Sequence, residues 1–119
     1  MRRPIMGVVL AGWIVLSAGC ARSGGTVLGA PPGHSVKTIA DARTAAISTP
    51  ITLHGTMTQK CPVAGCWFYI QDPTGSIRVD TKTAGFVVLK VPLREALTVS
   101  GKVRRENGDT IIQASGIRY

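Results

Sequence analysis

Apolar and polar residues alternate with a period of two in several segments after residue 50. In the segment 51–58, Ile51, Leu53 and Met57 alternate with polar residues, and the same alternation runs through 97–104. This pattern is typical of β-strands that bury one face. Together with three further β-rich runs, it predicts five strands at 51–58, 66–71, 76–80, 97–104 and 110–119.

Turn and helix signals separate these segments. Asp72-Pro73-Thr74-Gly75 predicts a turn between the second and third strands, and Asn107-Gly108 predicts a tight hairpin between the fourth and fifth. Before the first strand, Ser35 or Thr38 can cap a short helix that ends before Pro50.

The longest connection between the predicted strands is the segment 81–96. Its pattern fits either a short strand at 85–89 or a helical turn at 92–96, and both interpretations stay open. Five short antiparallel strands with their largest insertion between the third and fourth correspond to the OB-fold. The sequence therefore predicts an all-β domain over 35–119, a five-stranded OB-fold (Greek-key) barrel with a short N-terminal helix.

The N-terminus has the features of an export signal. Two arginines precede a 12-residue apolar run, Ile5–Leu16, which is shorter than the ~20 residues of a membrane-spanning helix. The next residues, Leu16-Ser17-Ala18-Gly19-Cys20, resemble the lipobox of bacterial lipoproteins, which implies that Cys20 is acylated and that 1–19 is a lipoprotein signal peptide. The alternative is an ordinary secretory signal with an incidental cysteine.

The residues after Cys20 predict a tether. The segment 21–34 is rich in glycine and proline and lacks apolar periodicity, so we expect 20–34 to be a lipidated cysteine and a flexible linker. By resemblance to the enterobacterial sorting rule, the absence of aspartate at position 21 favours the outer membrane. The predicted location is therefore the bacterial envelope, as a periplasm-facing lipoprotein anchored in membrane lipid through Cys20.

Three motifs within the predicted barrel resemble bacterial OB-fold proteins. The run Trp67–Asp80 resembles the apolar-x-apolar-x-Asp-x-x-Gly-x-Ile-x-Val hairpin of these domains, and Leu97–Val103 resembles their valine-glycine strand. The run Cys61–Trp67, with its Gly-Cys-Trp motif, is similar to an uncharacterised group of exported OB-fold proteins. The resemblance covers residues 36–119 and implies a fold and a compartment, but no activity.

Composition narrows the function classes. The 119 residues are 45% hydrophobic and 17% charged, which suits one globular domain and excludes a multidomain enzyme or a disordered chain. The formal net charge is +8, and without the two arginines of the export signal 12 Lys and Arg remain against 6 Asp and Glu, a net +6. Such a charge suits a polyanionic ligand or an anionic lipid surface.

Cys61 and Cys66 are candidates for chemistry in the loop between the first two strands. Their spacing and an oxidising compartment favour a disulfide that staples the loop. A soft-metal site for Cu or Zn, with Met57 or His54 as further donors, is the second interpretation. Redox exchange is the third, although the spacing is longer than that of Cys-x-x-Cys.

A candidate ligand face follows from the alternation of the strands. If the apolar residues at 68 and 70 point inward, Trp67 and Tyr69 point outward, together with Arg78, Lys102 and Arg104. Many OB-folds bind single-stranded nucleic acid or oligosaccharide on such a face by stacking and basic contacts. The alternatives are a solvated face that meets anionic lipid, or an indole covered by the N-terminal helix.

No catalytic motif accompanies these residues. The six acidic residues form no motif with one another, and nucleophile-elbow, zinc-protease and phosphate-loop sequences are missing. We therefore predict a non-enzymatic binding or accessory module, with no catalytic residues and no cofactor. Within a lipid-anchored envelope protein, an oligosaccharide or another envelope polyanion is favoured over nucleic acid as the ligand.

Overall fold

The computed structural model of this protein describes residues 25–119. The predicted signal peptide and Cys20 lie outside the described residues. Within 25–119, no helical segment has the length and apolar character needed to cross a membrane. The elements in chain order are the strands β1 (Val27–Gly29) and β2 (Val36–Lys37), the helix α1 (Ile39–Thr44), the strands β3 (Pro50–Lys60), β4 (Trp67–Asp72) and β5 (Gly75–Asp80), a 3₁₀ turn (Lys82–Ala84), and the strands β6 (Ala96–Glu106) and β7 (Asp109–Arg118).

Strands β3 to β7 close into a five-stranded barrel. β3 pairs antiparallel with β4, β4 with β5, β6 with β3, and β7 with β6, while β5 and β7 pair in parallel and complete the circle. These are the five strands that the alternating pattern predicts, extended by a few residues at several ends. The predicted all-β OB-fold is therefore confirmed.

The inward positions of the barrel strands form one hydrophobic core. Leu53, Phe68, Ile70, Val79 and Val99 are all fully buried. This burial confirms the predicted inward–outward register of the first four predicted strands. It also fixes the outer face, because the residues between these positions point away from the core.

The helix α1 closes one end of the barrel. Thr38 caps it through a reciprocal pair of hydrogen bonds, because Asp41 N–H donates to Thr38 Oγ1 at 3.1 Å and Thr38 N–H donates to Asp41 Oδ2 at 3.0 Å. Ile39 and Ala42 are buried against the core. The N–H of Ile39 also donates to Asp72 Oδ2 at 2.9 Å, which joins the helix to the β4–β5 turn.

The prediction that 20–34 forms a flexible tether is wrong for its last part. Within that segment, β1 pairs antiparallel with the end of β7, and Val36 beyond it begins β2, which pairs in parallel with β3. Gly116 of β7 permits the close approach of this segment, since a Cβ there would lie 1.6 Å from the carbonyl oxygen of Ala30. The N-terminal segment is therefore part of the sheet from residue 27.

The connection between β5 and β6, residues 81–95, contains a 3₁₀ turn and no strand. Val88 and Val91 from this segment are fully buried, so it covers part of the core without regular structure. The Lys60 ammonium group at the end of β3 donates to the carbonyl oxygens of Leu89, at 2.8 Å, and of Val91. The short strand considered for 85–89 is therefore wrong, and the segment is held by buried valines and a lysine.

Candidate functional site

Three side chains form an aromatic–arginine cluster on the outer face of β4 and β5. The rings of Trp67 and Tyr69 meet edge to face, with their centroids 6.0 Å apart and their planes at 85°. The Arg78 Cζ lies 5.7 Å from the centroid of the Trp67 ring, within the range of a cation–π contact. All three side chains are half-buried.

Strand register explains why these three residues meet. Tyr69 is paired with Arg78 across the β4–β5 ladder, and Trp67, two residues earlier in β4, is paired with Asp80. Because side chains alternate across a strand, Phe68 between the two aromatic residues points into the core. The outward positions predicted for Trp67, Tyr69 and Arg78 are those that the structure gives them.

The guanidinium group of Arg78 is incompletely paired. Its Nη2 lies 3.8 Å from Asp80 Oδ2, and the two side chains are 33% and 11% exposed. Its Nε is buried and has no hydrogen-bond partner. Asp80 also accepts the N–H of Lys82 at 2.9 Å through its other oxygen. Because the ion pair is long and a third of the side chain is exposed, the outer part of the guanidinium group can donate to a ligand.

A cleft of about 240 Å³ lies beside Tyr69 and Arg78. Arg43 of α1 is on one side, and the β6–β7 hairpin, with Glu106 and Asp109, is on the other. The cleft also includes Ile111, which is only 5% exposed although it lies outside the main core cluster. The lining of the cleft is therefore mainly polar, with charges of both signs and a nearly buried isoleucine.

Sequence reasoning missed the two walls of this cleft. Arg43 lies on a helix predicted for its capping and spacing, and its Nη2 donates to the carbonyl oxygen of Ser76. The predicted hairpin at Asn107-Gly108 is confirmed by positive φ values of 52° and 85°. One feature of the sequence could have indicated the cleft, namely that Ile111 is followed by Ile112. Two adjacent apolar residues in an alternating strand place one of them on the outer face.

Lys102 and Arg104 share the outer face but lie farther from the aromatic rings. A row of paired residues crosses four strands from Trp67 through Asp80 and Gln113 to Lys102, so three strand spacings, about 14 Å, separate its ends. Arg104 donates to Gln113 Oε1 at 2.7 Å. The five predicted face residues therefore divide into a cluster of three and a separate basic pair.

The helix does not cover the indole. The contacts from α1 reach the far end of β4, where Ile39 bonds to Asp72, while Trp67 is the first residue of that strand. Five residues of strand, roughly 17 Å, separate Trp67 from Asp72. The interpretation that the N-terminal helix buries Trp67 is therefore wrong.

Cys61 and Cys66 lie in the loop between β3 and β4, and both are half-exposed thiols. The N–H of Cys61 donates to the carbonyl oxygen of Trp67 at 3.1 Å, and the N–H of Gly65 donates back to the carbonyl of Cys61 at 3.2 Å. The Cys61 Sγ accepts the N–H of Ala64 at 3.4 Å. The loop is thus folded over the first cysteine, and the disulfide between the two stays a prediction.

The backbone of this loop lowers the pKa of one of its two thiols. Hydrogen bonds from the backbone N–H groups of Ala64, Val63 and Gly65 lower the pKa of Cys61 below its ordinary value. These groups place partial positive charge around the sulfur, which stabilises the anionic form. Of the two cysteines, Cys61 is therefore the one surrounded by backbone donors.

The further donors considered for a metal do not lie beside these cysteines. Met57 is fully buried in the core, and His54 Nδ1 makes a 3.1 Å hydrogen bond with Thr98 Oγ1 on the outer face. His54 is seven residues before Cys61 in the chain, roughly 23 Å of strand. In the described part of the chain, no three His, Cys, Asp or Glu residues come together as a metal-binding group.

A closed five-stranded barrel with this strand order and with aromatic and basic residues on its second and third strands defines an OB-fold protein. The chain belongs to the bacterial OB fold (BOF) family, whose model matches residues 18–119. The predicted resemblance to bacterial OB-fold proteins is thus confirmed. No curated protein matches the chain.

A solved structure gives the same fold. The hypothetical protein ygiW from E. coli aligns with a TM-score of 0.58 and 21% sequence identity, over 74% of this chain and 94% of that chain. At this identity the likeness concerns the fold alone. The residues of the aromatic–arginine cluster are therefore interpreted from this chain's own geometry.

Proposed function

We propose that this protein is a binding module of the bacterial envelope whose ligand is an anionic oligosaccharide or a related envelope polyanion. The ligand would contact the aromatic–arginine cluster and enter the adjacent cleft. The observation that carries the proposal is Arg78, whose guanidinium group lies over the Trp67 ring while its side chain stays 33% exposed and lines the cleft. The exposed part of this guanidinium group would donate to an anionic group of the ligand.

The position of the cluster in the barrel supports this proposal. OB-folds bind oligonucleotides and oligosaccharides through their second and third strands and the loops beside them. Here those strands are β4 and β5, and the loop 61–66 and the β6–β7 hairpin lie at the two ends of the same face. Aromatic faces stack on sugar rings and on bases alike, so stacking alone leaves both ligand classes open.

Charge and location favour the envelope polyanion over nucleic acid. Residues 20–119 carry a net charge of +6, from 12 Lys and Arg against 6 Asp and Glu. We also propose that Cys20 is acylated and holds the domain at the periplasmic face of a membrane, with the outer membrane as its favoured destination. From Cys20 to Thr26 the chain spans at most about 20 Å, which would place the barrel next to anionic lipid and polysaccharide.

A titration of the full chain with three polymers tests the proposal. The probes are an oligogalacturonate of about ten sugars, a neutral oligosaccharide of equal length, and single-stranded oligothymidylate. We expect saturable binding of oligogalacturonate, weakened at least about fivefold by Trp67→Ala and by Arg78→Gln. Arg94→Gln is the control, because it removes the same charge from an exposed residue outside the cleft.

The outcomes of this titration are distinct. Equal weakening by Arg78→Gln and Arg94→Gln would mean that net charge, and not the cluster, binds the probe, and would overturn the proposal. Preference for oligothymidylate, with an affinity that falls steeply with salt, would instead support the nucleic-acid interpretation. Solubility in detergent phase separation tests the anchor, since Cys20→Ser should remain unprocessed or leave the membrane.

A second candidate function is thiol exchange through Cys61 and Cys66. The observation that favours it is the 3.4 Å hydrogen bond from Ala64 N–H to Cys61 Sγ, together with the lowered pKa of that thiol. A lowered pKa increases the fraction of thiolate, the nucleophilic form, at neutral pH. A Cu or Zn site on the same pair would need further donors from a ligand or partner, since the described residues supply no third group.

A further inference from the structure

A groove separate from the aromatic–arginine cluster lies on the other side of the outer face. Its volume is about 690 Å³, in the range of small-molecule sites. Its lining comes from the N-terminal segment 33–37, the start of β3, the middle of β6 and β7, and the 3₁₀ turn. Lys102 lies in this groove and not in the cleft beside Arg78.

Hydrogen bonds attach both walls of the groove to its floor. On one side, the N–H of Gly33 donates to Ser100 Oγ at 3.0 Å, and Ser100 Oγ also bonds to Thr52 Oγ1 at 2.6 Å. On the other side, Gln113 Nε2 donates to Thr83 Oγ1 at 2.7 Å. The groove is therefore formed before any ligand arrives, which lowers the entropic cost of binding.

Small residues on β6 and β7 form part of the floor of the groove. Gly101 lies in it next to a register shift of the β6–β7 ladder, and a Cβ there would lie 2.2 Å from the carbonyl oxygen of Gln113. Ala114 is the neighbouring floor residue on β7. A side chain at position 101 would therefore clash with the β7 backbone, so glycine is required for the close pairing of β6 and β7 under the groove.

The charges in the groove have one sign. Lys37 and Lys102 are both exposed and line the groove, and none of the lining residues is acidic. Within residues 25–119 the salt bridge that forms joins Arg78 to Asp80, so neither lysine is paired with a carboxylate. Most of the lining surface is nevertheless apolar, with contributions from Pro50 and Ile51.

We propose that this groove binds an amphiphilic anion, a small molecule with an aliphatic body and a phosphate or carboxylate head. The aliphatic body would lie on the apolar lining, where its burial supplies the main free energy of binding. The head would contact the Lys102 ammonium group, which has three donors and no acidic neighbour in the groove. The site uses none of the three cluster residues, so it does not rest on the proposed function.

The two lysines lie on opposite sides of β3 and have different roles in the proposed binding. Lys102 is paired with Pro50 across the β3–β6 ladder, whereas Lys37 is paired with Leu53 on the other side of β3. Two strand spacings and three residues of offset separate their Cα atoms by roughly 14 Å. We assign the head group to Lys102, while Lys37 on the opposite wall adds to the positive potential of the groove.

Hexyl phosphate is the probe for this site. It is titrated into the full chain in a neutral detergent, and binding is followed by the NMR shifts of backbone amides in the groove, such as those of Gly101 and Ala114. A ligand of about 11 non-hydrogen atoms should bind with a Kd on the order of 1 mM. Hexanol has the aliphatic body without the anionic head, and inorganic phosphate is the head without the body. Each should therefore bind at least about fivefold more weakly than hexyl phosphate.

Matched variants separate a site from general attraction to a basic protein. We expect Lys102→Ala to weaken hexyl phosphate about tenfold, as for the loss of one charged contact, and Lys90→Ala to weaken it less than about twofold. Lys90 is exposed and lies outside the groove. Equal effects of the two variants, or the absence of groove shifts at about 20 mM probe, would overturn the proposal.

Two further measurements complete the test. Vesicles of phosphatidylglycerol identify the source of the ligand when they are mixed with the Cys20→Ser chain, in which the proposed acyl anchor is absent. Sedimentation that requires Lys102 indicates a membrane lipid, and sedimentation unchanged by Lys102→Ala indicates a soluble amphiphile. Either result supports the groove when hexyl phosphate binds. Trp67→Ala should leave hexyl phosphate binding unchanged, so a failure of the aromatic–arginine cluster and a failure of the groove are distinguishable.

Discussion

Arg78 lies over the indole ring of Trp67, on the neighbouring strand, with its Cζ 5.7 Å from the ring centroid. The contact is diagonal, since Arg78 is directly paired with Tyr69 and Trp67 is paired with Asp80. Such diagonal neighbours lie within reach of long and aromatic side chains. The arrangement holds a cation with an unpaired donor against an aromatic face at the surface of the barrel.

The stability of an Arg78→Met variant tests what this contact contributes to folding. Methionine keeps an aliphatic chain on the indole but removes the guanidinium group, whose ion pair is 3.8 Å long and partly exposed and whose Nε lacks an acceptor. The loss of the ion pair destabilises the fold, whereas removal of the buried donor without an acceptor stabilises it. Because these two effects offset each other, the free energy of unfolding should change by less than about 1 kcal/mol. Urea denaturation measures it. A loss above about 3 kcal/mol would show that Arg78 is mainly structural.

The segment before the barrel can be tested at Gly116. Alanine there would place a Cβ 1.6 Å from the carbonyl oxygen of Ala30, so β1 must move away from β7. We expect Gly116→Ala to cost about 1 to 3 kcal/mol, as other overpacked sites do, and to speed hydrogen exchange at Thr26 and Tyr119. These residues donate to each other's carbonyls at 2.7 and 2.9 Å in the structure.

The control for this variant is Ser115→Ala, which removes a side chain from the adjacent exposed position. Its hydroxyl donates to the carbonyl oxygen of Ser100 at 3.1 Å, so a small loss of stability is expected without release of β1. If Gly116→Ala leaves exchange at Thr26 unchanged, residues 25–30 do not pair with β7 in solution, and the original prediction of a tether would hold.

Most of the barrel could be predicted from the sequence, while its N-terminal additions could not. The alternation in the segments 51–58 and 97–104 is a local signal of a strand with one buried face, and it gave the correct register at Leu53 and Val99. β1 has only three residues, within a glycine- and proline-rich segment. Its pairing with β7 depends on a contact between segments about 90 residues apart in the sequence, which no local pattern encodes.

The candidate site, like the fold, could be predicted only in part from the sequence. The outward positions of Trp67 and Arg78 follow from strand parity, but the placement of Lys102 does not, because β7 lies between β5 and β6 in the closed barrel. The cleft also depends on Arg43, which reaches it from α1. Closure and strand order therefore determine which of the outward residues are neighbours.

Acid should weaken the junction between α1 and the β4–β5 turn through Asp72. Burial raises the pKa of Asp72, but hydrogen bonds from the side chain of Thr74 and from the N–H groups of Ile39, Thr74 and Gly75 outweigh it and hold that pKa below its ordinary value. A depressed pKa in the folded state stabilises the fold above the unfolded pKa, near 4. That contribution is lost as the pH falls through the lower, folded pKa.

Asp72→Asn should therefore lower stability at pH 7 by about 1 to 3 kcal/mol, because it replaces charge-assisted hydrogen bonds with neutral ones. The difference from wild type should begin to shrink below about pH 4, where the carboxylate of the unfolded chain takes up a proton, and should continue to shrink as the pH falls through the lower pKa of the folded state. Thermal unfolding from pH 3 to pH 7 measures both effects. Asp109→Asn, at an exposed position, is the control, and an equal effect of the two variants contradicts the role of Asp72.

The state of Cys61 and Cys66 is the last prediction, and a mass measurement decides between its alternatives. The folded loop between them, together with the proposed export to an oxidising compartment, favours a disulfide. Intact protein from the envelope, alkylated without reduction, should then be two hydrogens lighter than the reduced chain and should carry no alkyl group on either cysteine. A metal bound instead would add its mass and would be released by acid, because thiolate ligands regain protons as the pH falls.

After reduction, the two thiols should differ in reactivity. The N–H groups of Ala64, Val63 and Gly65 lower the pKa of Cys61, so its alkylation should reach half of its maximal rate at a pH below the ordinary thiol value of about 8.5. Peptide mapping after brief alkylation at pH 7 should therefore find more label on Cys61 than on Cys66. Ala64→Pro removes the N–H that donates to Cys61 Sγ and should shift the rate profile of Cys61 to higher pH. A profile that stays in place would mean that this backbone donor does not activate the thiol.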